Sequence, residues 1–182
     1  EEIHFSEQLN GASEMSFVAH KEYNGQCNDI WDEIIDFRLV YVLEYDKWFE
    51  IYVQIDEDDD TIKSISAVEL GVAELSQVYL YGVQINTAND IEREDYDENN
   101  PTILFNPIYP EASLMHRIME KIPHYTVKHV DKTIAKIQRI FTFDGKSVYD
   151  SLQEIAEEIG CLFVIKTGRT EIEDITREIY IY

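Results

Sequence analysis

The sequence is poor in the residues that usually build a chemical site. Its 182 residues include only seven glycines, four prolines and two cysteines. The glycines are scattered, so the chain has no glycine-rich loop of the kind that cradles phosphates. Cys27 and Cys161 lie in unrelated contexts without metal-ligand spacing, which predicts two buried free thiols in a reducing compartment.

Long apolar runs are also absent. No stretch reaches the roughly 18 apolar residues that a membrane-spanning helix needs. The N-terminus does not show the pattern of a signal peptide. The chain begins at Glu1 without a methionine and stops at Tyr182 inside an alternating segment, so we expect a piece of a longer protein.

Basic residues are few. Fifteen Lys and Arg face thirty-seven Asp and Glu, which gives a formal net charge of −22. Such a surface repels phosphate and argues against nucleic-acid binding as the purpose of the chain. Two interpretations stay open: the acids keep the protein soluble, or they form a surface that lies near DNA without holding it.

Against these absences, apolar residues make up 45% of the chain, enough for the core of one domain or two small ones. The clearest local pattern begins with the alternation at Phe141–Phe143 and a turn at Asp144–Gly145. Ser147 is positioned to cap a helix whose apolar stripe is Val148, Leu152, Ile155, Ala156 and Ile159, and Gly160 ends it. The apolar run 161–165 and the alternation 177–182 predict paired strands under this helix.

The first half of the chain has strand composition. Turns are predicted at Asn10–Gly11 and Asn24–Gly25, because these dipeptides favour tight hairpins. The predicted strands are two within Ile3–Lys21, a hairpin of Phe37–Leu43 against Trp48–Ile55, then Ile62–Leu70 and Val78–Ile85, with a helix over Ala67–Ser76 left as an alternative. This half therefore predicts a small antiparallel sheet or barrel.

The second half starts with a change of composition. Thr87–Pro110 reads as a linker with one short strand, Thr102–Phe105, and Ala112–Ile122 as a helix ended by Pro123. His124–Arg139 is predicted to be irregular or partly helical. We thus predict an α+β fold. It has an antiparallel β-rich, barrel-like part over 1–90 and a helix-on-sheet part over 91–182, with helices near 112–122 and 147–159 and strands near 138–143, 161–166 and 177–182.

Two sets of residues could suggest a metal site. Asp56–Asp60 places carboxylates at positions one, three and five of a calcium loop, but the sixth position is Thr61 and the twelfth is Ala67 instead of glycine and glutamate. Asp95, Asp97 and Asn99 fail in the same way, and His116, His124 and His129 lack paired ligand spacing. Solvated acidic loops and ordinary histidines are the preferred interpretation.

No motif for acyl transfer is present, and none of the many carboxylates is singled out as a catalytic pair. We therefore predict no catalytic, cofactor-binding or metal-binding residue. Twelve tyrosines and two tryptophans remain. Cross-strand packing is the first explanation for these rings, and a protein interface is the second.

The order of several short segments resembles a known family, the minor structural or prophage endopeptidase tail proteins of long-tailed phages and prophages of Gram-positive bacteria. The segments that carry the resemblance are 9–17 (LNGASEMSF), 31–32, 39–41, 73–76 (AELS), 129–131, 141–150 (FTFDGKSVYD) and 155–161. They are spread over nearly the whole chain, and most are turn and packing residues.

The resemblance implies a tail-tip hub of the baseplate type. Such a hub is a trimeric ring of β-barrel-like domains with a small α/β domain, which continues the tail tube, docks to the distal tail protein and lets DNA pass without binding it specifically. It implies a virion component made in the host cytoplasm. Some relatives carry a peptidoglycan-cleaving domain, but nothing in this sequence matches one. The alternatives are a module of a tail-associated peptidoglycan hydrolase and, on aromatic content alone, a carbohydrate- or receptor-binding module.

Overall fold

The computed structural model describes residues 3–7, 11–56, 59–85, 113–134, 137, 139, 141–170 and 174–182. The chain divides into two units. Unit 1 is Glu1–Ala73 with Thr167–Ile175, and unit 2 is Glu74–Lys166 with Thr176–Tyr182. The sequence predicted a boundary between residues 90 and 91 and assigned no residues from the end of the chain to the first part. The structure divides the chain elsewhere.

Unit 1 is built on an open antiparallel sheet. Its strands are β1 (His4–Ser6), β2 (Glu14–His20), β5 (Leu39–Val42), β6 (Lys47–Asp56) and β7 (Asp59–Glu69), in the order β1-β2-β7-β6-β5. Between β2 and β5 lie a two-stranded ribbon, β3 (Glu22–Tyr23) with β4 (Gln26–Cys27), and a 3-10 turn, Trp31–Glu33. β1 and β5 are edge strands, so the predicted barrel-like closure is not seen within the described part of the chain.

One face of this sheet carries the core of unit 1. Alternate residues point to the same side of a strand, and those that are buried together are Met15, Ala19, Phe49, Ile51, Ile65 and Ala67, with Trp31 packed on them. The predicted turn at Asn24–Gly25 is confirmed, and both residues have positive φ, as a tight hairpin of this kind requires. The predicted hairpin of 37–43 against 48–55 is confirmed as β5 and β6.

The chain leaves β7 through helix α1 (Leu70–Gln77). The helical alternative over Ala67–Ser76 is therefore confirmed from Leu70 onward, whereas Ala67–Glu69 complete the strand predicted over Ile62–Leu70. Beyond α1, the described residues contain short strands and two further helices. These are β8 (Tyr79–Leu80), β9 (Val83–Ile85), α2 (Leu114–Met119), β10 (Thr126–Val130), β11 (Phe141–Phe143), β12 (Lys146–Ser147), α3 (Val148–Ile159), β13 (Phe163–Arg169) and β14 (Ile175–Ile181). Three small sheets result: β10-β14-β13, β11-β9 and β12-β8.

The core of unit 2 forms around α3. The Ser147 hydroxyl accepts a hydrogen bond from the Asp150 amide at 3.0 Å, and Gly160 closes the helix at a φ of +69°. Both caps were predicted from the sequence. The apolar stripe of α3 packs in one cluster with Phe163, Ile179 and Ile181, which confirms the predicted docking of this helix on β13 and β14.

Three expectations need correction or fall outside the described residues. The stretch 124–139 was predicted to be irregular or helical, but Thr126–Val130 is a strand that pairs in parallel with β14. Cys27 lies in the two-residue strand β4 and is exposed and not buried, whereas Cys161 is buried as predicted.

Other predictions lie outside the described part of the chain. They concern the linker Thr87–Pro110, its strand Thr102–Phe105 and the first predicted residue of the helix at 112–122. Within the described ranges, no helix is long and apolar enough to cross a bilayer.

Candidate interaction surface

The outer face of the five-stranded sheet presents polar and aromatic side chains. The strand register places His4, Ser16, Ser66 and Tyr52 in one row across four strands. A neighbouring row contains Ser6, Glu14, Val68, Glu50 and Leu39. At the β1 end, residues of β1, β2 and β7 line a shallow pocket of about 360 Å³. Its lining combines apolar side chains, such as Phe5 and Val68, with polar ones, such as His4 and Glu14.

At the β5 end of the sheet the surface becomes apolar. We call this area the Phe37 patch, and define it as Ile35, Phe37, Leu39 and Tyr52. The first three side chains are 48%, 68% and 38% exposed. The rings of Phe37 and Tyr52 contact edge to face, with their centroids 5.7 Å apart. Large apolar side chains left in solvent beside one another are typical of a surface that a partner covers.

Phe37 adopts an unusual backbone conformation. Its φ is +64°, in the left-handed region that a residue with a β-carbon enters at a cost of about 1–2 kcal/mol. Neighbouring hydrogen bonds hold it there. The Phe37 amide donates to the Ile51 carbonyl at 2.9 Å, and the Ile51 amide donates to the Arg38 carbonyl at 2.9 Å. The Val53 amide donates to Asp36 Oδ1 at 2.6 Å. These bonds hold Phe37 in a strained conformation while most of its side chain is exposed to solvent.

The surroundings of the Phe37 patch are acidic. Residues 29–39 contain four acids, Asp29, Asp32, Glu33 and Asp36, and one base, Arg38, and all five are exposed. Glu50 lies beside the patch and accepts a hydrogen bond from the Tyr52 hydroxyl at 2.6 Å. That bond, with smaller contributions from burial and nearby carboxylates, raises the pKa of Tyr52 to about 12.

Two lysines of unit 1, one buried and one partly buried, are held by partners within the fold. Lys63 Nζ donates to the carbonyls of Trp31 and Ile34 at 2.7 and 2.8 Å and lies 4.3 Å from the centre of the Trp31 ring. Lys47 Nζ lies within 3.2 Å of Glu7, Ser13 and Glu69 oxygens. Burial alone would lower the pKa of Lys47, but the two carboxylates outweigh it and raise the pKa. Both lysines are thus satisfied within the fold.

Glu74 lies at the centre of a partly buried network of hydrogen bonds in unit 2. Arg177 on β14 donates to Glu74 on α1 through two nitrogens, and the Tyr125 hydroxyl donates to Glu74 Oε2 at 2.7 Å. Burial tends to raise the pKa of Glu74, but the bonds from Arg177 and Tyr125 together hold it below its usual range. Both oxygens of the Glu74 carboxylate accept hydrogen bonds in this network, so we interpret Glu74 as a structural link between α1 and β14.

The residues considered as metal ligands are dispersed. His116 faces Glu120 at 3.7 Å on an exposed helix surface, and the ring of His129 lies 5.0 Å from that of Tyr182. The backbones of Asp56 and Asp59 are partners in the register of β6 and β7. Asp95, Asp97 and Asn99 lie outside the described residues. Where the structure describes the chain, no three His, Cys, Asp or Glu side chains are arranged to hold a metal ion.

Sequence reasoning missed the Phe37 patch. The run Ile34–Leu39 reads as the start of a strand, and phenylalanine gives no signal of positive φ. The only hint was the alternation of acids with isoleucines over 29–36.

No family model matches the sequence, and no curated protein sequence matches it. At the level of fold, the structure is similar to a tail protein of a prophage. This protein is gp18 from Listeria monocytogenes EGD-e, known from a crystal structure. The TM-score is 0.55 at 9% sequence identity, and the match covers 97% of the present chain and 42% of that protein. The chain therefore shares the fold of that tail protein over nearly its whole length and spans less than half of the other protein.

Proposed function

We propose that the chain is a structural component of a phage or prophage tail, and that it acts through contacts with other proteins. The observation that carries the proposal is the fold match to a prophage tail protein over 97% of the chain. The sequence resemblance to minor tail proteins points in the same direction. The exposed Phe37 patch fits a chain that works by contact.

Within the tail we assign the chain to the tip, as a hub that continues the tube and docks to the distal tail protein. This finer assignment rests on the family resemblance, as does the expected three-fold self-association. The net charge of −22 supports it, because an acidic conduit does not retain DNA that slides through it. An assembled ring whose lumen is neutral or basic, with the acids outside, would overturn this explanation of the charge.

Antibodies against the chain test the assignment on intact particles. Gold-labelled antibodies should bind at the tail tip of virions produced by the phage or prophage that encodes the chain. An antibody against the tail-tube protein, used on the same particles, should label along the tail. Label on the capsid, or absence of the chain from purified particles, would contradict the proposal. Label spread along the tube would retain the tail role and reject the hub.

We also infer that the chain itself is not catalytic, because in the described residues the charged groups around Lys47 and Glu74 are satisfied within the fold. The competing hypothesis is a peptidoglycan hydrolase module. A zymogram on purified peptidoglycan separates them, with lysozyme as the positive control. We expect no clearing by the chain. Clearing would replace the structural assignment with an enzymatic one.

A further inference from the structure

We propose that the Phe37 patch is a docking site for a basic segment of a different protein, with Phe37 as its apolar anchor. The inference goes beyond the tail assignment and does not depend on it. It combines three properties of unit 1: an exposed apolar surface, a strained residue at its centre and an excess of negative charge around it.

The strain at Phe37 is the first argument. Glycine or asparagine would adopt a φ of +64° with less strain than phenylalanine. Phenylalanine at this position gains little from burial, since 68% of it is exposed. Burial therefore does not explain why an aromatic residue occupies this position. A large flat ring in solvent, supported by the edge of Tyr52, has the form of the aromatic anchors that dominate protein interfaces.

The charge around the patch identifies the class of partner. Four carboxylates and one guanidinium lie in residues 29–39, all exposed, and Glu50 adds a fifth carboxylate beside Tyr52. Opposite charges across an interface favour encounter and register, and like charges facing each other oppose it. A segment with lysines or arginines around an apolar side chain fits both the ring and the acidic border.

The same charge argues against a second copy as the occupant of this site. Two copies meeting at this patch would bring together two segments that each carry Asp32, Glu33 and Asp36. Each chain also carries a net charge of −22. Self-association expected for the tail role therefore uses other surfaces.

The test uses the 182-residue chain and a fluorescein-labelled peptide with lysines alternating with leucines around one tryptophan. A second peptide has glutamate in place of each lysine. Fluorescence anisotropy at low and at 0.15 M salt measures binding. Phe37→Asn removes the anchor and keeps a residue that tolerates the left-handed conformation. Leu43→Asn is the matched control, because Leu43 is 77% exposed in the β5–β6 turn, outside the patch.

We expect the basic peptide to bind the wild-type chain, and Phe37→Asn to weaken this binding at least about tenfold without lowering the melting temperature. Leu43→Asn should change it less than about twofold, and the acidic peptide should not bind. Equal effects of the two variants, or no binding of the basic peptide, would overturn the proposal.

A charge series gives an independent readout. Asp36→Asn keeps the oxygen that accepts from the Val53 amide, and it is combined with Asp32→Asn and Glu33→Gln. This triple variant should weaken binding and flatten its dependence on salt. A control with Asp144→Asn, Glu157→Gln and Asp174→Asn removes the same amount of charge elsewhere and should bind like wild type. Analytical sedimentation measures self-association of the wild-type chain and of Phe37→Asn. If the wild-type chain self-associates and the variant does not, a second copy occupies the patch and the proposal is rejected.

Discussion

Arg177 and Glu74 form a two-point link within unit 2. Arg177 Nε donates to Glu74 Oε2 at 2.8 Å, and Nη2 donates to Oε1 at 2.6 Å. The paired geometry matches a planar guanidinium to a planar carboxylate, which a lysine cannot reproduce. Glu74 and Arg177 are about a hundred positions apart in sequence, so the link fixes helix α1 against strand β14.

Breaking this link should destabilise the protein. Arg177→Met leaves a partly buried carboxylate with the Tyr125 hydroxyl as its remaining partner in the network. We expect a loss of about 2 kcal/mol in the free energy of unfolding, measured by urea denaturation. The comparison is Lys128→Met, because Lys128 faces Glu178 at 3.4 Å as a half-exposed ion pair. That change should cost about 0–1 kcal/mol. Equal losses of unfolding free energy in the two variants would show that the two-point geometry adds no stability beyond that of an ordinary ion pair.

The same link predicts a dependence on acid. The pKa of Glu74 in the folded protein lies below its ordinary value of 4.5. Its stabilising contribution is therefore complete above that ordinary value and is lost as the pH falls through the folded pKa. Urea denaturation between pH 7 and pH 3 should show wild type losing its advantage over Glu74→Gln as the pH falls below 4.5. A constant difference over this range would contradict the lowered pKa.

The two ends of helix α3 can be tested separately. Ser147→Ala removes the hydroxyl that accepts from the Asp150 amide, and we expect a loss of about 1 kcal/mol. Gly160→Ala places a β-carbon on a residue with φ of +69° and should cost about 1 kcal/mol as well. No neighbouring atom lies within 4 Å of that β-carbon, so strain and not crowding is the cause. Gly160→Asn should cost less than Gly160→Ala in thermal unfolding, and the reverse order would reject the strain argument.

The two cysteines should differ strongly in reactivity. Burial raises the pKa of the Cys161 thiol to about 11, against an ordinary value of 9.0. At neutral pH this leaves about a hundredfold less thiolate, and the buried position restricts access further. Iodoacetamide followed by mass spectrometry should modify exposed Cys27 first and Cys161 only slowly. In urea the two rates should converge, and equal rates in the native protein would contradict the burial of Cys161.

Local signals in the sequence predicted α3 with both of its caps, because Ser147, the apolar stripe and Gly160 act within a few residues of one another. The turn at Asn24–Gly25 was predictable for the same reason. Strand β10 was not, because Thr126–Val130 becomes a strand only through pairing with β14, some fifty residues later. A short polar segment contains little sequence signal that it will pair in parallel with a distant strand.

The candidate surface was largely invisible in the sequence. The aromatic content suggested an interface as a second explanation, but it did not identify Phe37. That residue is distinguished by a conformation imposed by hydrogen bonds to Ile51 and by the bond from Val53 to Asp36. These contacts depend on the register of β5 against β6, which a single sequence does not specify.

Unit 1 draws its last residues from far along the chain. Trp48 Nε1 donates to the Gly168 carbonyl at 3.1 Å, and both residues belong to this unit. Unit 1 therefore has all its parts only after residue 175 has been synthesised, and no single cut releases it complete. The five strands of its sheet all lie within residues 4–69, so a chain that stops before residue 167 keeps these strands but lacks the carbonyl that accepts from Trp48.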